Sequence, residues 1–335
     1  MARKTNAKLE DIARATGVSK MTVSRVLRGG SGFSDATRIR VMAEVERLNY
    51  LPNRIAATFG SGEASTLVGL CVPRFTSSLF GQLTEAIQSN LARFGYQVVI
   101  GSHDQIPQDE ETWLASVAAW QPAGMILTGT RHTPNTLDLI KKLAVPIVEI
   151  WNLTTTPLDM AVGFSHYDCG LTMGRYIVGR GYRRIGYVGA MADVETMGRD
   201  RQSGFTQALG EADLSLAAAE ILHDRPSFYT GFVGTEMILA RVPKLDALYF
   251  HDDEMAIGGM AYLRKHGIRV RNDIAIAGWG AMEAASILPE RLTTTEVPAT
   301  KLGKLAAEML VMRMRGETLS DVHVIPARLV PGDTV

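Results

Sequence analysis

Ile12-Ala13-Arg14-Ala15-Thr16-Gly17-Val18-Ser19-Lys20-Met21-Thr22-Val23-Ser24-Arg25-Val26-Leu27 is the stretch on which the reading of this chain turns. Leu9, Ile12 and Ala13 stand at helical spacing, and Gly17 follows as a left-handed stop. Ser19 caps a second helix with a buried stripe of Val23, Val26 and Leu27, which leaves Lys20, Met21, Thr22, Ser24 and Arg25 largely on the outer face. A three-residue turn between two such helices has helix-turn-helix length. Ser34 caps a third helix whose stripe is expected to be Ile39, Met42, Val45 and Leu48, ended by Tyr50 and Pro52. Asn53 to Phe59 then forms one or two helical turns before the flexible Gly60-Ser61-Gly62, and a helix that short needs a partner to stabilise it.

Working outward, the chain has 335 residues, too many for one ordinary core, and its formal charge is zero. That balance hides an asymmetry. Residues 1–60 carry 11 basic and 5 acidic side chains, the remainder 24 and 30, so a small basic module precedes a larger acidic body. The same layout suits a nucleic-acid binder with an attached sensor, or simply a solvated basic face. Ala2-Arg3-Lys4-Thr5-Asn6 has no signal-like apolar stretch behind it and no later run reaches membrane-spanning length, so a cytoplasmic protein without a membrane partner is expected. Cys71 and Cys169 are the two cysteines, which excludes a disulfide framework and leaves both as small core residues.

From Thr66 on, apolar runs of strand length alternate with helical stretches: 67–72, 97–101, 124–127, 146–150, 185–188, 247–250 and 274–277. Alternation of this kind gives an α/β body with parallel sheets covered on both faces, and the length fits two sheets. No closed metal motif, Gly-x-Ser-x-Gly, Walker sequence or complete dinucleotide fingerprint occurs, so neither catalysis nor a cofactor is expected. A secreted solute-binding protein would share such a body without the basic headpiece.

Over nearly its whole length the chain resembles the lactose-repressor/galactose-repressor (LacI/GalR) family. The headpiece likeness lies in Ile12-Ala13, Gly17-Val18-Ser19, Thr22 to Leu27, Leu48-Asn49-Tyr50 and Pro52-Asn53; the body adds Val68-Gly69-Leu70 with Pro73, Arg180 to Ile185, Arg201 with Gly204, and His251 to Gly258. Lys20 to Arg25, His132-Thr133-Pro134, Leu158-Asp159 and Ala161 to Phe164 are most similar to its gluconate-responsive branch. The resemblance implies a helix-turn-helix headpiece over 1–52, a hinge helix and linker over 53–64, and a two-lobed body of periplasmic-binding-protein type over 65–335. Lobe one would take about 65–163 and 295–322, and lobe two about 164–294 and 323–335, with three strands crossing between them. It also implies a homodimer on palindromic double-stranded operator DNA, and no heptad tail of the kind that makes tetramers is present.

Lys20 and Arg25 can donate to guanine edges, and Met21 can touch a thymine methyl. Thr22, Ser24, Asn53 and Arg54 suit phosphate by residue type, and Ser19, at the start of the second helix, is counted in the same DNA interface. Ala56 belongs to the same interface by resemblance. Phe59 stands where relatives usually carry a Leu that wedges into the minor groove; packing against the body is its alternative. For the effector, the resemblance places Arg201 where a cation holds ligand oxygens, Asn152 on the opposite wall, Asp252 where most relatives have Asn, and Gly280 where sugar-binding members have Asp. Arg74, Ser77, Phe80, Arg131, His132 and Trp279 complete the candidates. Core packing is as good a reading for Trp279 as stacking, and His132 is of a type more often hydrogen-bonded structurally. A guanidinium suits a carboxylate, and loss of the Asp at 280 weakens the case for a neutral sugar, so the expected effector is gluconate or a related sugar acid. A neutral or phosphorylated sugar is the alternative.

If Phe59 is the wedge, Phe59→Ala should weaken operator binding and reduce DNA bending while effector affinity is unchanged. Bending measured by energy transfer across an end-labelled operator checks this, and an unaltered bend would favour packing against the body.

Overall fold

The computed structural model describes residues 7–27, 29–50, 65–103, 106–190 and 197–335. The chain divides into two units, Met1–Ser65 and Thr66–Val335.

The first unit holds α1 (Leu9–Thr16), α2 (Lys20–Leu27) and α3 (Asp35–Arg47). Gly17 takes φ +65° as the left-handed end of α1, and Thr22 N–H donates to Ser19 Oγ (3.1 Å) to start α2. Ser34 Oγ accepts from Thr37 N–H (3.2 Å) at the start of α3. The core gathers Ile12, Ala13, Val23, Val26 and Val41, with Val45 and Leu48 packed at its edge. Ile39 (70% exposed) and Met42 (41%) therefore lie off the expected stripe of α3. Spacings of three slip around a helix of 3.6 residues per turn, and the set Val41, Val45, Leu48 is the one that stays on one face.

In the body, one sheet runs β11-β5-β4-β3-β1-β2, from β1 (Leu67–Val72), β2 (Gln97–Ser102), β3 (Gly124–Thr128), β4 (Ile147–Asn152), β5 (Met160–Phe164) and β11 (Val322–Val324). The other runs β7-β6-β8-β9, from β6 (Ile185–Gly189), β7 (Ala218–Ile221), β8 (Ala247–Phe250) and β9 (Ala275–Ala277). Every pairing within these sheets is parallel, and cores lie on both faces of each. The chain passes between the lobes after β5, after β10 (Thr294–Glu296) and between β11 and β12 (Arg328–Val330); β10 and β12 pair antiparallel. The last crossing falls later than residue 322. Val322 pairs with Ala161, and Ile325 N–H still donates to the Gly163 carbonyl (3.0 Å), so the chain remains on the first sheet until then.

Among the described residues, eight helices pack on these sheets before the last crossing or line the cleft: α4 (Ser78–Arg93), α5 (Pro107–Ala118), α6 (Pro134–Leu143), α7 (His166–Gly179), α8 (Met197–Gly210), α9 (Phe228–Arg241), α10 (Asp253–Lys265) and α12 (Ala299–Met314), with the short α11 (Glu283–Ile287) beside them. The approach of α7 to α8 matters most for the site, because α8 carries Arg201. A methyl group on Gly170 would collide with the Arg201 carbonyl oxygen, and one on Gly204 with that of Tyr167. On an open helix, Gly→Ala would stabilise by about 0.5–1 kcal/mol. Here the collision should dominate, and Gly204→Ala is expected to destabilise the body by about 1–3 kcal/mol or more, read as a lower urea midpoint. A neutral or stabilised variant would mean that the two helices can move apart freely.

Candidate functional site

In the first unit, Lys20, Met21 and Arg25 are exposed along α2, whereas Thr22 and Ser24 are half-buried. The Ser19 hydroxyl is engaged at the helix start, bonding Thr22 N–H and the Thr22 hydroxyl (2.9 Å). Lys20 pairs with Glu10 of α1, which lowers the Glu10 carboxyl, chiefly through that hydrogen bond. A surface pair of this kind is weak and can be exchanged for phosphate or a base edge. Arg25 lies along the loop after α2: a Cβ on Gly30 would meet its Cγ at 2.8 Å, and one on Gly32 its Nη1 at 3.0 Å. Sequence reasoning missed that support, although the cluster Gly29-Gly30-Ser31-Gly32 marks it. Asn53, Arg54, Ala56 and Phe59 lie outside the described residues.

In the body, a cleft between the lobes holds six of the nine effector candidates: Arg74, Ser77 and Phe80 from lobe one, and Arg201, Asp252 and Trp279 from lobe two. Arg74 reaches across to the Pro226 carbonyl (3.3 Å). Ser77 stands at the N-cap of α4 without using its side chain to cap. Trp151, His166 and His251 were not anticipated. Trp151 forms an aromatic floor with Phe80 (4.6 Å between centroids), Phe164 (5.4 Å) and Trp279 (6.2 Å). Its backbone sits at φ +86°, costly for a large side chain and persisting only where the surroundings enforce it. Such strain at the C-terminal end of a parallel strand marks a crevice, but sequence alone does not display it.

Arg201 is 2% exposed. Its Nη1 donates to His166 Nδ1 (3.1 Å), its Nη2 to the His251 carbonyl (2.9 Å), and its Cζ lies 4.0 Å from the centre of the Trp279 ring. Among the described residues no carboxylate stands within ion-pair distance of it. Burial first, and then the Arg201 charge, hold both His166 and His251 well below the ordinary histidine range, so both stay neutral. Asp252 Oδ1 accepts from Met255 N–H (2.9 Å) to cap α10, and burial raises its carboxyl. Only its second oxygen is left for a ligand. Asp253 is buried next to it: Oδ1 accepts from the Thr294 hydroxyl (2.6 Å) on β10, Oδ2 from Met282 N–H (2.8 Å), and its own N–H donates to the Trp279 carbonyl (3.0 Å). Burial pushes this carboxyl up to about 7.

Three candidates stand elsewhere. Asn152 and Arg131 line a separate polar compartment beyond Met197, which borders both spaces. His132 faces no ligand space: its Nδ1 meets Glu110 Oε1 (2.6 Å) and its Nε2 meets Glu149 Oε1 (3.4 Å). Neither ring nitrogen remains for an effector, so His132 leaves the set. Gly280 has φ +127°, and a Cβ there would approach Leu79 Cδ1 to 3.2 Å, so an Asp at this position would be strained.

A model of the lacI family of bacterial regulatory proteins matches residues 8–53, and a periplasmic binding protein-like domain matches 175–335. The chain is 33% identical over 321 residues to the HTH-type transcriptional regulator GntR of Escherichia coli (strain K12), covering 95% of each. It belongs to the LacI family. LacI-family chains are DNA-binding transcriptional regulators with a ligand-binding body, not enzymes, and this chain is one of them. A crystal structure of a LacI-family regulator from Silicibacter pomeroyi matches with a TM-score of 0.91 at 33% identity, covering 98% of this chain and 99% of that one. The lac repressor dimer bound to operator and the anti-inducer ONPF matches at 0.84 and 25% identity, covering 98% and 99%. No helix among the described residues is long and apolar enough to cross a membrane.

Burial opposes charge on His132, but hydrogen bonds to Glu110 and Glu149 outweigh it and raise the imidazole to about 9 from an ordinary 6.5. Stabilisation by the imidazolium is thus complete below pH 6.5 and is lost as pH rises through about 9. Denaturant unfolding between those limits should show wild-type stability falling with pH relative to His132→Gln. Parallel profiles would exclude a charged His132.

Proposed function

We propose that this protein is a cytoplasmic homodimeric repressor, released from a palindromic operator by gluconate or a closely related sugar acid whose carboxylate binds Arg201. The observation that carries the reading is a buried guanidinium whose hydrogen-bond partners are neutral and which, among the described residues, has no carboxylate within ion-pair distance. A guanidinium has five donors, and His166 and His251 take two. The remaining donors suit an oxyanion in two parallel charge-assisted bonds. Arg74 and Arg225 add further cations to the cleft, and Gly280 offers no carboxylate to grip a neutral polyol. The likeness to the gluconate-responsive branch points the same way. A ligand that prefers one cleft geometry shifts the body toward it, and operator release follows if paired hinge helices are disfavoured in that geometry.

Calorimetric titration of the full chain against gluconate, glucose and a phosphorylated sugar tests the effector, and a gel shift on a palindromic duplex tests release. Arg201→Ala should lose about 2–5 kcal/mol of gluconate affinity because the ligand charge is left desolvated and unpaired, with operator binding intact when no ligand is present. Tight glucose binding without gluconate binding, or normal release by gluconate in Arg201→Ala, would reject this effector and leave the family membership untouched.

A further inference from the structure

The aromatic pocket around Arg201 encloses about 70 Å³ of water-accessible space. Arg201 and Met197 line the same pocket, so a ligand anchored at Arg201 can continue past Met197. Beyond Met197, which lines both spaces, the second compartment offers about 250 Å³. Its wall combines acceptors with one guanidinium, that of Arg131. Glu110, at the first turn of α5, is 2% exposed, yet it borders the cavity. His132 fixes Glu110 Oε1 at 2.6 Å, and Glu149 braces the other side of the imidazole while its own Oε2 accepts from Leu158 N–H (2.6 Å). Among the described residues nothing is bonded to Glu110 Oε2. Asn152 Oδ1 is buried with no hydrogen-bond partner among them either, and Asp200 adds a carboxylate at the rim.

We infer that this compartment is a hydroxyl-reading subsite, in which Glu110, held in place by His132, and Asn152 accept hydrogen bonds from the polyol end of the effector. The inference rests on the sugar-acid reading above and refines its polarity. Asp252, with one oxygen committed to the α10 cap, stands in the same pocket as Arg201 and can serve only the hydroxyls next to the acid end, while the rest of the polyol runs toward Glu110. Hydroxyls can donate to the acceptors of this wall, whereas a second ligand carboxylate has no proton to give Glu110 or Asn152 and would find only the exposed Arg131 to meet it. Glu110 and Asn152 are thus specificity determinants, and His132 is a positioning residue.

The test is calorimetry on the full chain with glycerate, gluconate, glucarate (an acid at both ends) and the neutral alditol glucitol. Gluconate should bind wild type more tightly than glycerate does, and about tenfold or more tighter than glucarate. Asn152→Ala and Glu110→Gln should each lose about tenfold in gluconate affinity and leave glycerate unchanged, which also shows that both variants are folded. Glu110→Gln should in addition narrow the gap between gluconate and glucarate, a change that misfolding cannot produce. Arg201-dependent acid binding that ignores Glu110 and Asn152, or glucarate bound as tightly as gluconate, would overturn the subsite and leave the acid reading standing. Glucitol bound through Glu110 with no acid binding would do the reverse. No binding of any of the four would overturn both.

Discussion

A guanidinium removed from water needs surroundings that satisfy its donors, and much of the cleft is arranged around meeting that need for Arg201. The neighbours that do so are an imidazole nitrogen, a main-chain carbonyl and an indole face, none of which carries a negative charge. Each condition constrains something further away. His166 must remain neutral to accept, which its burial ensures. The carbonyl of His251 must point inward at the end of β8, just before Asp252 starts α10. Trp279 must present its ring, and it does so within a cluster that draws Trp151 into a strained backbone conformation. Even the spacing of α7 and α8 belongs to this set, since glycines at the crossing allow the helix bearing Arg201 to come close.

Much of the architecture was legible because it is written in local periodicity. Capped amphipathic segments gave the headpiece helices, and apolar runs bounded by turn residues gave seven strands of the two sheets. What escaped has a common cause. Ala218–Ile221 is a half-exposed edge strand, and Thr294–Glu296, Val322–Val324 and Arg328–Val330 are three residues long, so none carries enough pattern to stand out; their strand state is imposed by pairing partners far along the chain. Met160–Phe164 is fully buried, yet it follows β4 after a short loop and shows no alternation.

The site divides the same way. Arg201, Asp252 and Trp279 could be placed by likeness because each sits in a recognisable run of residues. No feature of the sequence near His132 indicates that Glu110 and Glu149, 22 and 17 residues away, would occupy both its ring nitrogens. Asn152 and Trp151 are neighbours in sequence but border different spaces at the end of β4. Side-chain direction at a strained strand end is a tertiary fact, and only the assembled sheet decides it.

Asp253 has a mechanical consequence. One carboxylate holds the Thr294 side chain on a crossing strand and the backbone of Met282, while the same residue's N–H holds the Trp279 carbonyl. The cleft wall that carries Trp279 is therefore tied to one of the strands that cross between the lobes. In a close-packed interior, a shift of a few tenths of an ångström at the indole has little slack to absorb it, and would turn the crossing strand, which is the pivot for any movement between the lobes. Because rotation grows into displacement with distance from the pivot, the far end of each lobe would travel much further than the atoms that touched the ligand. Small molecules need only a small purchase on a lever whose fulcrum is this rigid.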